Sequence, residues 1–330
     1  MPIPSTGTIY MGSLNVEVGN NRTSPFSMNA LKVRKLLEKT GDFTTIRASD
    51  GRGKSWVLSK SIVITTNQNN VNIKSVLGSA FDSDRPLDVT FTINSGVVIS
   101  STSTASYALQ TGSSYASGSK ITVFNNGSIV GRGGDGGKGG TGSWDAPISS
   151  TSGKNGGPAF LAMVTALINN TGTIGGGGGG GGGGNGVLSV YNSKVTPFKG
   201  YSFYGAGGGG GGGGGGSAGG TSGDSSFSYV VTTETNVFKN SGENGNGGSI
   251  TGSGDGGFGG NAGFTYSVCG GQTGYSSQGW PGQKGGSLGA SGSSSTLTNI
   301  GGEAGYALVG SSFVTFLNQG TILGKTDQSL

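Results

Sequence analysis

Residues 170–186 read NTGTIGGGGGGGGGGNG: the stretch Asn170-Thr-Gly-Thr-Ile174, ten consecutive glycines from Gly175 to Gly184, then Asn185-Gly186. Glycine loses more backbone entropy on folding than any other residue, so an isolated run of this kind reads first as a flexible linker. Recurrence argues otherwise. A second run of ten spans Gly207 to Gly216, and glycine-rich tracts cover 131–142, 175–186, 205–220, 242–263 and 279–292, with glycine-poor inserts between them. The stretch ahead of the run recurs as well. Asn125-Asn-Gly-Ser-Ile-Val-Gly131, Asn170-Thr-Gly-Thr-Ile-Gly-Gly176 and Asn318-Gln-Gly-Thr-Ile-Leu-Gly324 share the pattern Asn-x-Gly-Ser/Thr-Ile-x-Gly, and Asn94-Ser-Gly-Val-Val-Ile99 is a weaker copy. A repeat in sequence implies a repeated structural unit.

Polyglycine can adopt a left-handed helix of three residues per turn with all its N–H and C=O groups pointing outward. Several such helices side by side satisfy those groups on one another, provided no side chain holds the backbones apart. A ten-residue run would span about 31 Å, enough for tracts to pack as rods of one block with the inserts as loops at the rod ends. Residues that interrupt the tracts, such as Asp135, Lys138, Phe258 and Asn261, are expected on outer rods.

The rest of the chain differs in composition. Residues 1–60 hold a disproportionate share of the charge and a predicted helix from Ser27 to Thr40, with Ser27 as N-cap, apolar Leu31, Val33, Leu36 and Leu37, and Gly41 as the stop. Residues 61–130 carry short β-rich runs, among them Ser61–Thr66, Val89–Ile93 and Lys120–Phe124, which imply a half-buried antiparallel or solenoid-like sheet. The expected fold is a small α+β N-terminal attachment module (1–60), a short-stranded mainly-β middle region (61–130), and a distal polyglycine II helix bundle, or sandwich, with apical loops (131–302). A C-terminal β segment (303–330) is expected to pack back on the middle region.

With 75 glycines and 31% hydrophobic residues in 330, a side-chain core cannot run through the whole chain. Histidine is absent, which removes the commonest general base and metal ligand, so no catalytic residue, metal or cofactor is expected. Cys269 is the single cysteine and has no histidine to activate it. Gly53-Lys54-Ser55 fails as a phosphate loop, because the motif would need glycine at Ala48. Twenty basic against fifteen acidic residues, scattered along the chain, do not make a nucleic-acid groove. No stretch of about 20 apolar residues occurs in the sequence and no signal-peptide pattern is legible at Met1–Tyr10, so the protein is expected to reach its site of action by another route, such as release with virions by lysis.

If rods form the scaffold, recognition belongs to the inserts, since sequence can vary there without disturbing the packing. They are aromatic-rich: Tyr191, Phe198, Tyr201, Phe203 and Tyr204 in one, Phe227, Tyr229 and Phe238 in another, then Tyr266, Tyr275 and Trp280. Tyr and Trp give large contact area at low entropic cost, so these residues are the candidate receptor contacts. The alternative role for them is a small core at the bundle ends.

The alternation of glycine tracts with variable inserts over about 131–302 resembles the distal tail-fibre adhesin of T-even-type phages, whose fold is a sandwich of polyglycine II helices with receptor-binding loops at the tip. Pro86–Ile99, Asn125–Gly134 and Gly156-Gly-Pro-Ala159 resemble the carboxy-terminal receptor-recognition region of lambda-like tail proteins. Pro4–Ile9, Leu14–Gly19 and Ile46–Ser55 resemble the start of many virion tail proteins, while the amino-terminal adaptor departs from that of the T-even adhesins. The resemblance implies a non-enzymatic protein at the distal tip of a virion tail fibre that starts adsorption. Its partners would be a bacterial outer-membrane protein or surface glycan and, through the N-terminal module, a tail fibre or tail-tip protein. A glycine-rich structural or ice-binding-type protein is the alternative class.

Overall fold

The recurring Asn-x-Gly stretches mark one corner of a three-sheeted parallel solenoid. The computed structural model describes residues 3, 6, 11–23, 30–38, 47, 50, 52–140, 150–185, 187–191, 201–205, 208, 211–215, 226–229, 236–239, 243–249, 261–268, 271–278, 280–294 and 299–326. The first sheet holds Leu58–Ile64, Leu87–Ile93, Lys120–Asn125, Ala166–Asn170 and Val314–Asn318, in that order. The second holds Gln68–Asn69, Val98–Ser100, Ser128–Val130, Thr173–Gly175 and Thr321–Leu323. The third holds Val71–Asn72, Leu109–Gln110, Phe160–Leu161, Tyr306–Val309 and Lys325–Thr326. Each turn of chain thus adds one strand to every sheet. The second and third sheets pair parallel throughout, as do Ala166–Asn170 and Val314–Asn318 in the first. The β-rich middle is therefore solenoidal and parallel, and the antiparallel option falls.

The register explains the repeat. Ile99, Ile129, Ile174 and Ile322 of the four copies stand opposite one another in the second sheet, and the first three are buried. Leu109, Phe160 and Leu308 stack likewise in the third. Burying each large apolar side chain contributes roughly 1.5–3 kcal/mol, so the stacked rows are the core of the solenoid. At the corner, Asn125 Nδ2 donates to Asn170 Oδ1 (2.8 Å) and to Thr173 O (3.1 Å), and Asn170 Nδ2 donates to Gln319 O (2.7 Å). Both asparagines are fully buried, and the ladder offsets part of what would be a heavy desolvation cost, although it leaves Asn125 Oδ1 unpaired. The motif glycine serves close stacking: a Cβ on Gly172 would lie 1.9 Å from Gly127 O of the turn below.

The corner between the second and third sheets is where the chain departs from the solenoid. One residue, Asn70, fills it in the first turn and 101–108 in the second, but 131–159 in the third and 176–305 in the fourth; Gly324 alone fills it in the last. All the glycine tracts grow from this one corner.

Residues 175–184 form the axis of what grows there, and every one of them is buried. Hydrogen bonding along it repeats every three residues. Gly178, Gly181 and Gly184 donate to Gly214, Gly211 and Gly208 and accept from Gly134, Gly137 and Gly140. Gly179 and Gly182 donate to Ala290 and Ser293 and accept from Gly286 and Gln283. Gly177 and Gly180 donate to Gly157 and Lys154 and accept from Gly305 and Gly302, while Gly183 donates to Thr151. Three rows thus face six neighbouring segments, each row giving its N–H to one and its C=O to another. A Cβ on any residue from Gly176 to Gly184 would fall between 1.7 and 2.7 Å from a backbone carbonyl oxygen of a neighbour.

The described chain divides into two compact units. One comprises Met1–Ile62, Gly78–Thr90 and Ser114–Ile121, the other Val63–Leu77, Phe91–Ser113 and Thr122–Leu330. In the first unit, helices α1 (Met11–Glu17) and α2 (Leu31–Leu36) close on a core of Ile3, Leu14, Val18, Val33, Leu36, Leu37 and Trp56. The sequence predicts α2 over 27–40. Among the described residues it begins at Leu31, with Ala30 in extended geometry and no side-chain cap, and it ends where Glu38 turns left-handed at φ 57°. Ser27 and Gly41 lie outside the described residues. Leu31, expected on the apolar face, is exposed.

Candidate functional site

Hydrogen-bond partners along the axis give the glycine block two ends. At Gly175–Gly176 the axis continues from the solenoid strand Thr173–Gly175. At Gly184–Asn185 it meets Gly140, Gly208, Trp280 and Asn299, the opposite end. Gly140, Asn185, Gly208 and Asn299 thus stand together at this far end.

A polar cluster ties that end together. Asn299 Nδ2 donates to Ser150 Oγ, to Gly183 O (3.2 Å) and to Asn185 Oδ1 (2.7 Å), and Ser150 Oγ donates to the same Asn185 Oδ1. Asn299 and Ser150 are buried. Beside them Trp280 donates its backbone N–H to Asn185 O (2.9 Å), and its side chain is half exposed at 52%.

The inserts, expected as loops, carry strands. Val187–Tyr191, Tyr201–Gly205 and Ser226–Tyr229 form one antiparallel sheet; Asn236–Lys239, Asn261–Val268 and Gly271–Gln278 form another. Aromatic residues with β propensity at alternating positions take this form as soon as a partner strand lies alongside. Tyr201 stands opposite Tyr191 and Tyr229, and Phe203 opposite Phe227. Tyr204 stands opposite Leu188. In the second sheet Phe264 stands opposite Tyr275, Tyr266 opposite Thr273 and Phe238 opposite Gly263. Strand Tyr201–Gly205 runs within 8 Å, Cα to Cα, of both long strands of the second sheet. Phe198 lies outside the described residues. Ser150, Asn185 and Asn299 are absent from the sequence-based candidates, since nothing in their neighbourhoods marks three distant polar residues as one cluster.

The first unit presents a different kind of surface. Arg85 is buried with its guanidinium 5.1 Å from the centroid of Trp56, and it donates to the backbone oxygens of Ser55 (2.8 Å), Trp56 (3.1 Å) and Lys35 (3.3 Å). Burial lowers its proton affinity below the ordinary arginine value. Lys35 bridges Asp84 (2.5 Å) and Asp82 (3.3 Å), and the Asp84 bond leads in raising its pKa. For Asp82, burial pushes the pKa up, but the Asp84 N–H and Lys35 outweigh it and the net direction is down. Glu38 is lowered chiefly by its 2.6 Å bond to Lys54. Lys35, Glu38, Leu58, Lys60, Asp82 and Arg85 line a cleft of about 350 Å³. Among the described residues no cluster of metal-ligating side chains occurs.

The family model for the phage tail fibre adhesin Gp38 matches residues 59–327, and the chain belongs to that family. It is thus a bacteriophage tail fibre adhesin, a virion protein of host attachment. Among solved structures it is similar to the gp37–gp38 adhesin tip complex of the bacteriophage S16 long tail fibre, at 22% identity over 98% of this chain and 99% of that one, with a TM-score of 0.47. No curated protein sequence matches it. Membership favours the adhesin over the ice-binding-type alternative.

Proposed function

We propose that this adhesin sits at the distal tip of the fibre and binds a host outer-membrane protein or surface glycan through the inserts at the far end of a polyglycine II bundle, starting adsorption without catalysis. The observation that carries the reading is that Asn185, Gly208 and Trp280, described residues flanking the aromatic-rich inserts, meet at the end of the glycine block opposite the solenoid. The three-residue hydrogen-bond repeat and the exclusion of any Cβ from the axis support polyglycine II geometry for the tracts. On this reading the rods are scaffold, and Tyr191, Tyr201, Phe203, Phe227 and Tyr229, on paired strands, together with Tyr204, Phe238, Tyr266, Tyr275, Phe198 and the exposed Trp280, supply receptor contacts.

Residues 1–60 form the attachment module in this proposal and dock a tail fibre or tail-tip protein. The domain scheme is attachment module 1–60, β-rich middle 61–130, receptor-binding polyglycine II domain 131–302 and a C-terminal β segment 303–330 that packs back on the middle region. Purified adhesin carrying the 187–204 and 224–240 inserts of a related phage tests the receptor assignment by cell binding. Transfer of binding to the donor's host is expected, and unchanged host preference with normal folding contradicts it.

A further inference from the structure

Two flanks of the glycine block are closed in different ways. Along 211–215 every amide donates to a backbone carbonyl of another segment: Gly211 and Gly214 to Gln283 and Gly286, Gly213 to Gly134, and Gly212 and Gly215 to Asn246 and Ser249. Segment 246–249 thus packs as a further layer on 211–215, so close that a Cβ on Gly248 would lie 2.2 Å from Gly213 O. Along 300–305 every amide is also bonded, yet only Gly302 and Gly305 donate to backbone, at Gly180 and Gly177 of the axis. The other four donate to side chains. Gly301 and Ala304 donate to Ser294 Oγ (3.0 Å) and Ser291 Oγ (3.3 Å), and Ile300 and Glu303 donate to Ser152 Oγ (3.2 Å) and Asn155 Oδ1 (2.8 Å).

These bonds follow the three-residue period of the block. With three residues per turn, a rod sends its N–H groups in three directions. On 300–305 one row faces the axis, and the 301/304 and 300/303 rows face directions in which a further rod could pair, as 246–249 pairs with the 212/215 row. Ser291 and Ser294, like Ser152 and Asn155, are themselves three residues apart, so each pair meets successive turns of its row. All four are exposed, and water could satisfy the amides in their place. What the side chains remove is a template. An unpaired backbone edge pairs with other chains, and a glycine edge does so most readily because no side chain holds the second backbone off. A capping side chain occupies the donor and also leaves a Cβ in the path of an incoming rod.

We infer that Ser152, Asn155, Ser291 and Ser294 are edge stops: side-chain caps that end the rod array on this flank and keep a second copy of the chain from adding its glycine rods there. This role rests on the rod packing proposed for the tracts and holds wherever the receptor binds.

The test uses full-length adhesin. Ser291→Gly with Ser294→Gly removes both oxygens and both Cβ atoms beside Gly301 and Ala304, and its mass by sedimentation is expected to rise with concentration. Ser291→Ala with Ser294→Ala removes the same oxygens but keeps the Cβ atoms, and its mass is expected to match wild type at every concentration. A role in stability alone would not make association depend on the Cβ. Should the glycine pair fail to fold, Ser294→Gly takes its place with the same expected rise. No rise in a folded glycine variant overturns the caps, and an equal rise in the alanine pair overturns rod addition as the event they prevent. Amide exchange separates the caps from the packing beneath them. In the alanine pair Gly301 and Ala304 are expected to exchange about tenfold faster than in wild type, while Gly302 and Gly305 stay protected. Free exchange at Gly302 and Gly305 in wild type would sink the rod packing itself; protection there with free exchange at Gly301 and Ala304 would sink only the caps.

Discussion

Gly180→Ala asks of the glycine axis whether its glycines are there for packing. Gly180 does not need a left-handed backbone, so alanine can adopt its conformation. In a free linker the change would stabilise the chain slightly, by about 0.4–1 kcal/mol, because alanine restricts the unfolded state. In the packed block the new Cβ falls 2.0 Å from Asp135 O, while ordinary contact begins at 3.4 Å, so the 131–140 segment must retreat by about 1.4 Å. The flanking bonds from Gly134 N to Gly178 O and from Gly137 N to Gly181 O are 2.8 Å each and would open beyond hydrogen-bond range. Two lost bonds between buried groups cost about 1–3 kcal/mol each, and overpacking adds about 1–3 kcal/mol. The expected net destabilisation is therefore about 2–9 kcal/mol, opposite in sign to the linker outcome. Lys138→Ala is the control, an exposed position on an outer segment that already carries a side chain, with an expected effect within about 0.5 kcal/mol. Denaturant unfolding of the three proteins decides it. Equal midpoints for Gly180→Ala and wild type would refute the packing argument.

Further outcomes follow from the same physics. Asn170→Ala removes both ends of the corner ladder, and unfolding should show a loss of about 2–4 kcal/mol, against less than about 1 kcal/mol for Asn318→Ala in the exposed last turn. Arg85→Met strips three backbone carbonyls of their donor, and amide exchange in the first unit should accelerate; Arg85→Lys should not rescue it, because an ammonium cannot span that fork. Asp82 and Glu38 have depressed pKa values in the folded state, so their contribution is present above the ordinary carboxylate range and is lost as pH falls through the folded values, below about pH 4. Lys35 is shifted up, so its contribution holds below its ordinary value and fades as pH rises above about 10.4. Amide exchange of the first unit across pH should show both edges, and Lys35→Met should blunt each of them.

Sequence and structure meet most closely at the repeat. Alternation in Leu87–Ile93 and Lys120–Asn125, and the Asn-x-Gly-Ser/Thr-Ile copies, identify strands and a recurring turn because period-two burial and a stacked polar corner both leave local traces. Parallel pairing leaves none, since its partners lie a full solenoid turn away. The strands at 160–161 and 306–309 are short buried segments bounded by glycine tracts, and their pairing across about 145 residues has no local signature. The aromatic alternation of Tyr201 and Phe203 was available as a strand signal but is masked by the surrounding glycine, which suggests loops. In α2 the helix ends where Glu38 turns left-handed, a conformation that glutamate does not announce. The Ser150, Asn185 and Asn299 cluster is legible only once the fold brings three residues distant in sequence together.

Recognition by the aromatic inserts is what separates a receptor-binding adhesin from a bare glycine scaffold. The most direct measurement is the binding of the insert chimaera, with 187–204 and 224–240 exchanged together, to cells of both hosts. The prediction is that binding moves to the donor's host with an unchanged melting profile. Retention of the original host by a folded chimaera would contradict it.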